Sequence, residues 1–539
     1  MSEQRGSGGD RDGAGRGRGG ARGGDSPRGS GQRGDGQRHE GQRGGGKESR
    51  GKGAGGPRGY SAQRPSERSR TTDQQRLAAY TVMRAVADGA YANLELPRVL
   101  REKQIRGRDA AFTTELVYGA IRLQGLYDPI IAEAAGRPLS KIDANVLDTL
   151  RLGAHQLLGM RVPAHAAADE TVGLARKVNG AGAAGFVNAV MRRISERTPE
   201  EWLDVVVPPD APTTARLAIE LSHPEWVVKA MRAALLGHHA STAASVDADL
   251  TALLASDNAP PRVSLVARPG LADLDELVEA GAEPSALSRV GATLMGGDPG
   301  GIPAVREGRA AVQDEGSQLL ALALAAVPVE TGGGDERWLD LCAGPGGKAG
   351  LLAGLAVQAG ADLTANELSP HRADLVRQTL RAATARAASA GRRIEVRTGD
   401  GRTVGEEEPG RYHRVLVDAP CTGLGALRRR PEARWRRTPA DLADLGRLQR
   451  ELLASAIDAT APGGVVAYAT CSPHLAETQF VVSDVTKRRD DVELVDAREY
   501  LVDASGARVD GLGRGPTAQL WPHVHGTDGM FLALLRKRA

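Results

Sequence analysis

The sequence holds three cysteines in 539 residues, Cys342, Cys421 and Cys471, and each follows an apolar run: WLDLCAGPGGK, VLVDAPCTGLG and VVAYATCSP. A cysteine can attack an electrophile, bind a metal, form a disulfide or simply pack. No pair shows the short CxxC-type spacing that tetrahedral zinc favours, so no metal is expected. An odd number of widely separated thiols makes a poor disulfide framework and points to a reducing, cytoplasmic setting. An isolated cysteine usually packs. Here all three fall where strands are expected to end, at one edge of a sheet, and that shared place favours chemistry for Cys421 and Cys471.

DLCAGPGGKAG, residues 340–350, follows a strand-like segment and opens a helix. Gly344, Gly346 and Gly347 let a ligand approach the backbone, and Glu367 ends the next strand-like stretch, LTANE, where a carboxylate suits ribose hydroxyls. The loop is not a phosphate-binding P-loop, because Lys348 is followed by Ala349 instead of Ser or Thr, and it does not match GxGxxG. A cofactor with a ribose but no phosphate fits, and S-adenosylmethionine is such a cofactor. Asp400, in GDGR, and Asp418, in VLVDAPC, end the third and fourth expected strands, where ligands bind in open α/β sheets.

Two thiols and an aspartate beside a methyl donor suit one chemical problem. Carbon 5 of cytosine is too weak a nucleophile to take a sulfonium methyl, but a thiolate added at carbon 6 turns the ring into an enamine that can. A carboxyl group at ring nitrogen 3 would stabilise the charge that develops. The carbon-5 proton and the thiol must then leave, which gives a second group a task.

The elements that would position these residues are legible in outline. Residues 1–76 contain no Val, Leu, Ile, Phe or Trp and carry 17 Lys and Arg against 9 Asp and Glu, about +8, so this Arg/Gly-rich tail is expected to be disordered. It could bind RNA or act as a spacer. The whole chain is only +3, so the remainder is near −5. Helical periodicity from Leu77 predicts an all-α domain over residues 77–200. Residues 201–312 predict a small α+β connector that could contact RNA, with VSLVA as a strand after a double proline. From 313 to 539, strand-like and helix-like segments alternate, which predicts a doubly wound, Rossmann-like α/β sheet. No apolar stretch reaches the roughly 18–20 residues of a membrane span.

LRRRPEARWRR follows Cys421 closely and supplies Arg428, Arg429, Arg430, Arg434, Trp435, Arg436 and Arg437. A charge run is as often a solvated face. Its place beside the reaction loop suggests a clamp for nucleic-acid phosphates, with Trp435 stacking on a base.

The sequence closely resembles the bacterial ribosomal RNA small-subunit methyltransferase B family of RNA 5-methylcytosine methyltransferases. RDAAFTTELVYGAIR, LRLGAHQLL, DETVGLAR and GFVNAVMRRI resemble its NusB-like domain. VQDEGSQLLA, CAGPGGK, DAPCTGLG, YATCSPHLAE and WPHVHGTDGMFLALL resemble its catalytic motifs, in order. The resemblance implies a class I methyltransferase domain that methylates small-subunit (16S) ribosomal RNA, with RNA as partner and a monomer expected. It implies Cys471 as nucleophile, Cys421 as the release residue and Asp418 as a catalytic carboxylate. The cofactor would contact Cys342, Ala343, Gly344, Pro345, Gly346, Gly347, Lys348, Glu367, Asp400 and Asp418. Gly344 stands where the family often has Ala, Glu367 where it often has Asp, and Met530 where Phe is common; these touch cofactor affinity, not the reactive groups. A tRNA cytosine-5 methyltransferase shares the motifs but not the helical domain, and a non-catalytic antitermination factor would not need both cysteines.

Overall fold

The structure, a computed structural model, describes residues 73–538 except 161. Nearly all of the expected tail lies outside these residues. Its last few are helical instead: Asp73 caps the helix Gln74–Ala87 by accepting from Gln75 N at 2.8 Å. The cap, and not the first apolar residue Leu77, sets where the helix starts.

Seven helices run to residue 194: Gln74–Ala87, Ala92–Glu102, Gly107–Arg122, Gln124–Ala135, Ala144–Leu158, Ala164–Val178 and Ala181–Ile194. Their apolar residues recur at helical spacing, as in Ala78, Ala79, Val82, Met83 and Val86, so each helix buries one face. The connector continues with helices Pro199–Val206, Thr213–Glu220, Glu225–Gly237 and Val246–Asn258. An antiparallel sheet follows, with strands β1 (Val263–Ala267), β2 (Ala282–Pro284), β3 (Gly291–Leu294) and β4 (Ala310–Val312) in the order β2-β3-β1-β4.

The second sheet holds β5 (Arg337–Asp340), β6 (Asp362–Glu367), β7 (Ile394–Thr398), β8 (Tyr412–Asp418), β9 (Thr460–Thr470), β10 (Val492–Val495), β11 (Ala518–Gln519) and β12 (Phe531–Lys537). Its order is β10-β12-β9-β8-β5-β6-β7, with β11 beside β12. β5 to β9 pair in parallel, whereas β12 runs antiparallel to both β9 and β10. Strand order reverses between β5 and β8, which opens a crevice at their carboxyl ends. Both faces are covered, so β8 is buried along nearly its whole length. Among the described residues, no helix is long and apolar enough to cross a membrane.

The arginine-rich segment joins the three parts of the fold, and of the residues expected to clamp phosphates Arg434 is committed to buried acceptors inside the protein. Arg434 is fully buried and donates to Asn258 Oδ1 at 2.8 Å, Ser222 O at 3.0 Å, Asp257 O at 3.1 Å and Arg122 O at 3.3 Å. Trp435 Nε1 donates to Ile121 O at 2.8 Å, and Arg436 to Val86 O at 2.6 Å. The guanidinium groups of Arg430 and Arg436 stand over the Tyr91 ring at 5.7 and 5.4 Å. Arg429 grips the buried Asp528, Arg428 donates to Gly526 O at 2.8 Å, and Arg437 pairs with Asp441 at 3.5 Å. Carbonyls at helix ends of two domains need donors once water is excluded, and guanidinium groups supply several each.

Replacing Arg434 by Ala is expected to lower unfolding stability by roughly 2–4 kcal/mol, because several buried acceptors lose their donor. Arg437→Ala, which breaks a half-exposed i,i+4 pair, should change it by less than about 0.5 kcal/mol. Urea unfolding of the two variants measures the contrast. Unchanged stability with weakened RNA binding in Arg434→Ala would restore the clamp.

Candidate active site

Register sets the site. Asp340 pairs with Ala365 of β6 and Leu416 of β8, and Asp418 pairs with Ala469 of β9. Paired residues share a sheet face and faces alternate with a period of two. Asp340, Glu367 and Asp418 therefore project to one face, and Cys471 continues the alternation from Ala469. The helix Gly347–Gln358 covers that face and presents Lys348 in its first turn. Lys348 Nζ reaches Asp418 Oδ2 at 3.0 Å. Burial opposes the lysine's charge, but Asp418 and the Cys471 sulfur raise its pKa above the ordinary value.

The Cys421 and Cys471 sulfurs lie 3.4 Å apart, in residues that are each half-buried. They are not equivalent. The hydrogen bond from Cys421, with Lys348 and Arg430 as nearby cations, lowers the Cys471 pKa against the opposing effects of burial and Asp418. The same hydrogen bond, with burial, pushes the Cys421 thiol well up. These opposite shifts favour Cys471 over Cys421 as the sulfur that ionises first. Cys342 stands apart: it packs toward the opposite core, and burial drives its thiol well up.

The loop from Cys342 to Gly346 leads into the helix under Lys348. Glu367 Oε2 accepts from Gly344 N at 3.1 Å and Oε1 from Ser369 N at 3.0 Å, while Arg372 Nη2 donates to Gly344 O at 2.6 Å. A Cβ at position 344 would sit 2.1 Å from Glu367 Oε2. Glycine at 344 thus makes room for the longer carboxylate at 367. Asp400 lies after β7 and is held by Arg402, whose hydrogen bonds lower its pKa.

Sequence reading passed over Asp340, although it stands in the quoted loop motif. It is fully buried, its Oδ2 has no hydrogen-bond partner, and burial together with Asp418 pushes it up to about 8. An orphaned carboxyl oxygen and the Glu367, Asp400 and Asp418 carboxylates fit a ligand that brings cations and hydroxyl donors; they would repel a phosphate. S-adenosylmethionine, with its ammonium, sulfonium and ribose, meets that requirement. Among the described residues, no group of three or more His, Cys, Asp or Glu is arranged to hold a metal ion.

Comparisons with known proteins identify the family. Residues 330–536 match the family described as 16S rRNA methyltransferase RsmB/F, and residues 73–196 match the NusB family. Rv1407 of Mycobacterium tuberculosis, named only as a methyltransferase, is 50% identical over 474 residues, covering 87% of this chain and 98% of its own length. The ribosomal RNA small subunit methyltransferase B of Pseudomonas putida is 34% identical over 477 residues, covering 86% and 98%. Among solved structures, that of PH0851 matches with a TM-score of 0.69 at 21% identity, over 86% of this chain and 98% of that one, a likeness of fold.

Two measurements test the geometry. A thiol with a lowered pKa is ionised at lower pH, so iodoacetamide should label Cys471 with a midpoint below that of Cys421, as read by mass spectrometry across pH. Cys421→Ala removes the donor and should move the Cys471 midpoint upward; faster labelling of Cys421 at neutral pH would reverse the assignment. In calorimetry, Gly344→Ala should weaken S-adenosylmethionine binding by about tenfold, and adding Glu367→Asp should recover much of it, a coupling of roughly 1 kcal/mol. Additive losses would mean the two positions are independent.

Proposed function

Since the chain belongs to the ribosomal RNA small-subunit methyltransferase B family of S-adenosylmethionine-dependent RNA methyltransferases, we propose that it methylates carbon 5 of a cytosine in small-subunit ribosomal RNA through a covalent cysteine adduct. The observation that carries this reading is the unequal sulfur pair: two thiols 3.4 Å apart, one favoured as thiolate and one as thiol, beside a Lys348–Asp418 ion pair.

In this reading Cys471 attacks carbon 6, and the ring's π electrons move toward carbon 5 and nitrogen 3. Asp418 stands at the nitrogen-3 edge in this reading; in its protonated form it donates a hydrogen bond to nitrogen 3, and the Lys348 ammonium on Oδ2 offsets the developing negative charge. When bound, the cofactor would supply an electrophilic methyl group to carbon 5 and depart as the neutral thioether. Once Cys471 is bonded to carbon, its negative charge is gone, and with it a leading reason for Cys421 to stay protonated. Cys421 can then release its proton to solvent and, as a thiolate, accept the carbon-5 proton; the electron pair of that C–H bond forms the carbon 5–carbon 6 double bond as the sulfur–carbon bond breaks and regenerates the Cys471 thiolate. The residues Gly344, Glu367, Asp400 and Asp418 would hold the cofactor. The base must leave any stack to reach the thiolate, so unpaired or unfolded RNA is the substrate form.

Undermethylated small-subunit rRNA, incubated with the full chain and labelled S-adenosylmethionine, should gain 5-methylcytosine at a position found by bisulfite sequencing. Cys471→Ala should abolish both turnover and covalent RNA adduct. Cys421→Ala should accumulate an adduct that denaturing gels retain. The opposite pattern exchanges the two roles, and methylation at a nitrogen would sink the carbon-5 reading.

A further inference from the structure

Behind the two sulfurs lies a buried carboxylate to which neither the sequence reading nor the mechanism above gives a role. Glu477 is fully buried in the single turn Leu475–Glu477. Its carboxylate accepts from Thr422 N at 2.8 Å, Thr422 Oγ1 at 2.5 Å, Ser472 Oγ at 2.6 Å and Gln449 Nε2 at 3.2 Å. Thr422 directly follows Cys421, and Ser472 directly follows Cys471. Gln449 Nε2 also donates to Pro420 O at 2.8 Å, so the residue before Cys421 is held as well. The turn itself is anchored by Tyr468 of β9, whose hydroxyl donates to Glu477 O at 2.7 Å.

A carboxylate is costly to bury unless donors surround it. Here the donors come from both cysteine loops and from the helix Asp441–Ala459, and they converge on one side chain. Holding the fold together would not require them to come from the residues adjoining the two thiols. We propose that Glu477 is a positioning residue of the methyl-transfer reaction, gripping Thr422 and Ser472 together so that the Cys421 thiol meets the Cys471 sulfur at hydrogen-bonding distance. The proposal rests on the two-cysteine reading above. Glu477 also acts through charge: after the bond to Cys471 and burial, its negative charge is among the influences that keep Cys421 a thiol. One side chain thus holds the two cysteine loops together and adds to the bias against ionising Cys421.

The test compares Glu477→Gln with wild type in the full chain. The amide turns a donor toward the Thr422 and Ser472 hydrogens and removes the charge. Alkylation of Cys471 by iodoacetamide at neutral pH is expected to slow about tenfold with its pH midpoint moved up, and kcat to fall by about tenfold or more while KM for S-adenosylmethionine stays within about twofold. Thr422→Val and Ser472→Ala each remove one grip and should shift both readouts in the same direction by less, which keeps the test available should Glu477→Gln not fold. A folded Glu477→Gln with wild-type alkylation profile and kcat, changed only in Tm, would overturn the proposal. Should wild type transfer no methyl group to rRNA while Glu477→Gln still shifts the alkylation midpoint, the positioning role stands and the assigned reaction falls.

Discussion

The 3.4 Å approach of Cys421 to Cys471 is possible because β8 and β9 are parallel neighbours with Asp418 opposite Ala469. Parallel strands leave a sheet at the same edge, so loops fifty residues apart in sequence begin side by side. An antiparallel pair would send them to opposite edges. A slip of one residue would turn Asp418 away from Lys348 and toward the other core. The run of Val and Leu in β8, and of Val, Ala and Tyr in β9, resists such a slip because both faces are packed.

Charge is the second constraint. Lys348 is a nearly buried cation surrounded by Asp340, Asp418 and the Cys471 sulfur. Removed from water, each of these groups is stable only with the others. The first turn of the helix Gly347–Gln358 contributes its unpaired N–H groups to the same crevice, where they favour negative charge. A thiolate can therefore persist at Cys471 despite burial, while the carboxylates along the strand ends favour a cationic cofactor over a phosphate-bearing one.

Much of this was legible in the sequence because it is local. Apolar runs ending in DLCAG, LTANE, VDAPC and ATCS mark strand ends, and the alternation of such runs with helices fixes a parallel sheet. VELV and FLALLRK were not read as strands, since they pair antiparallel at the far side of β9 and lack the intervening helix pattern that identified the others. The internal partners of the arginine segment are hidden from the sequence for a related reason. Charge density records that donors are present but not whether their acceptors are phosphates or buried carbonyls, and only the docking of the helical domain and the connector reveals Arg122 O, Ile121 O and Ser222 O as acceptors. Asp340 and Glu477 were hidden likewise: each lies inside a quoted motif, but its unpaired or shared oxygen is a property of packing.

The same docking ties the reaction loop to the distant helices. Gly425 N donates to Cys471 O at 2.9 Å, and Gly425 O accepts from Gly529 N at 2.7 Å, so three backbone segments meet at one residue. A Cβ there would lie 2.0 Å from Gly529 O, which is why the second glycine of CTGLG cannot carry a side chain. Two residues further on, Leu427 enters the connector's core, and Arg434 and Trp435 enter the boundary with the helical domain. A stretch of sixteen residues from Pro420 to Trp435 thus runs from the sulfur pair to the helices, held at Gly425, Leu427, Arg434 and Trp435 along the way.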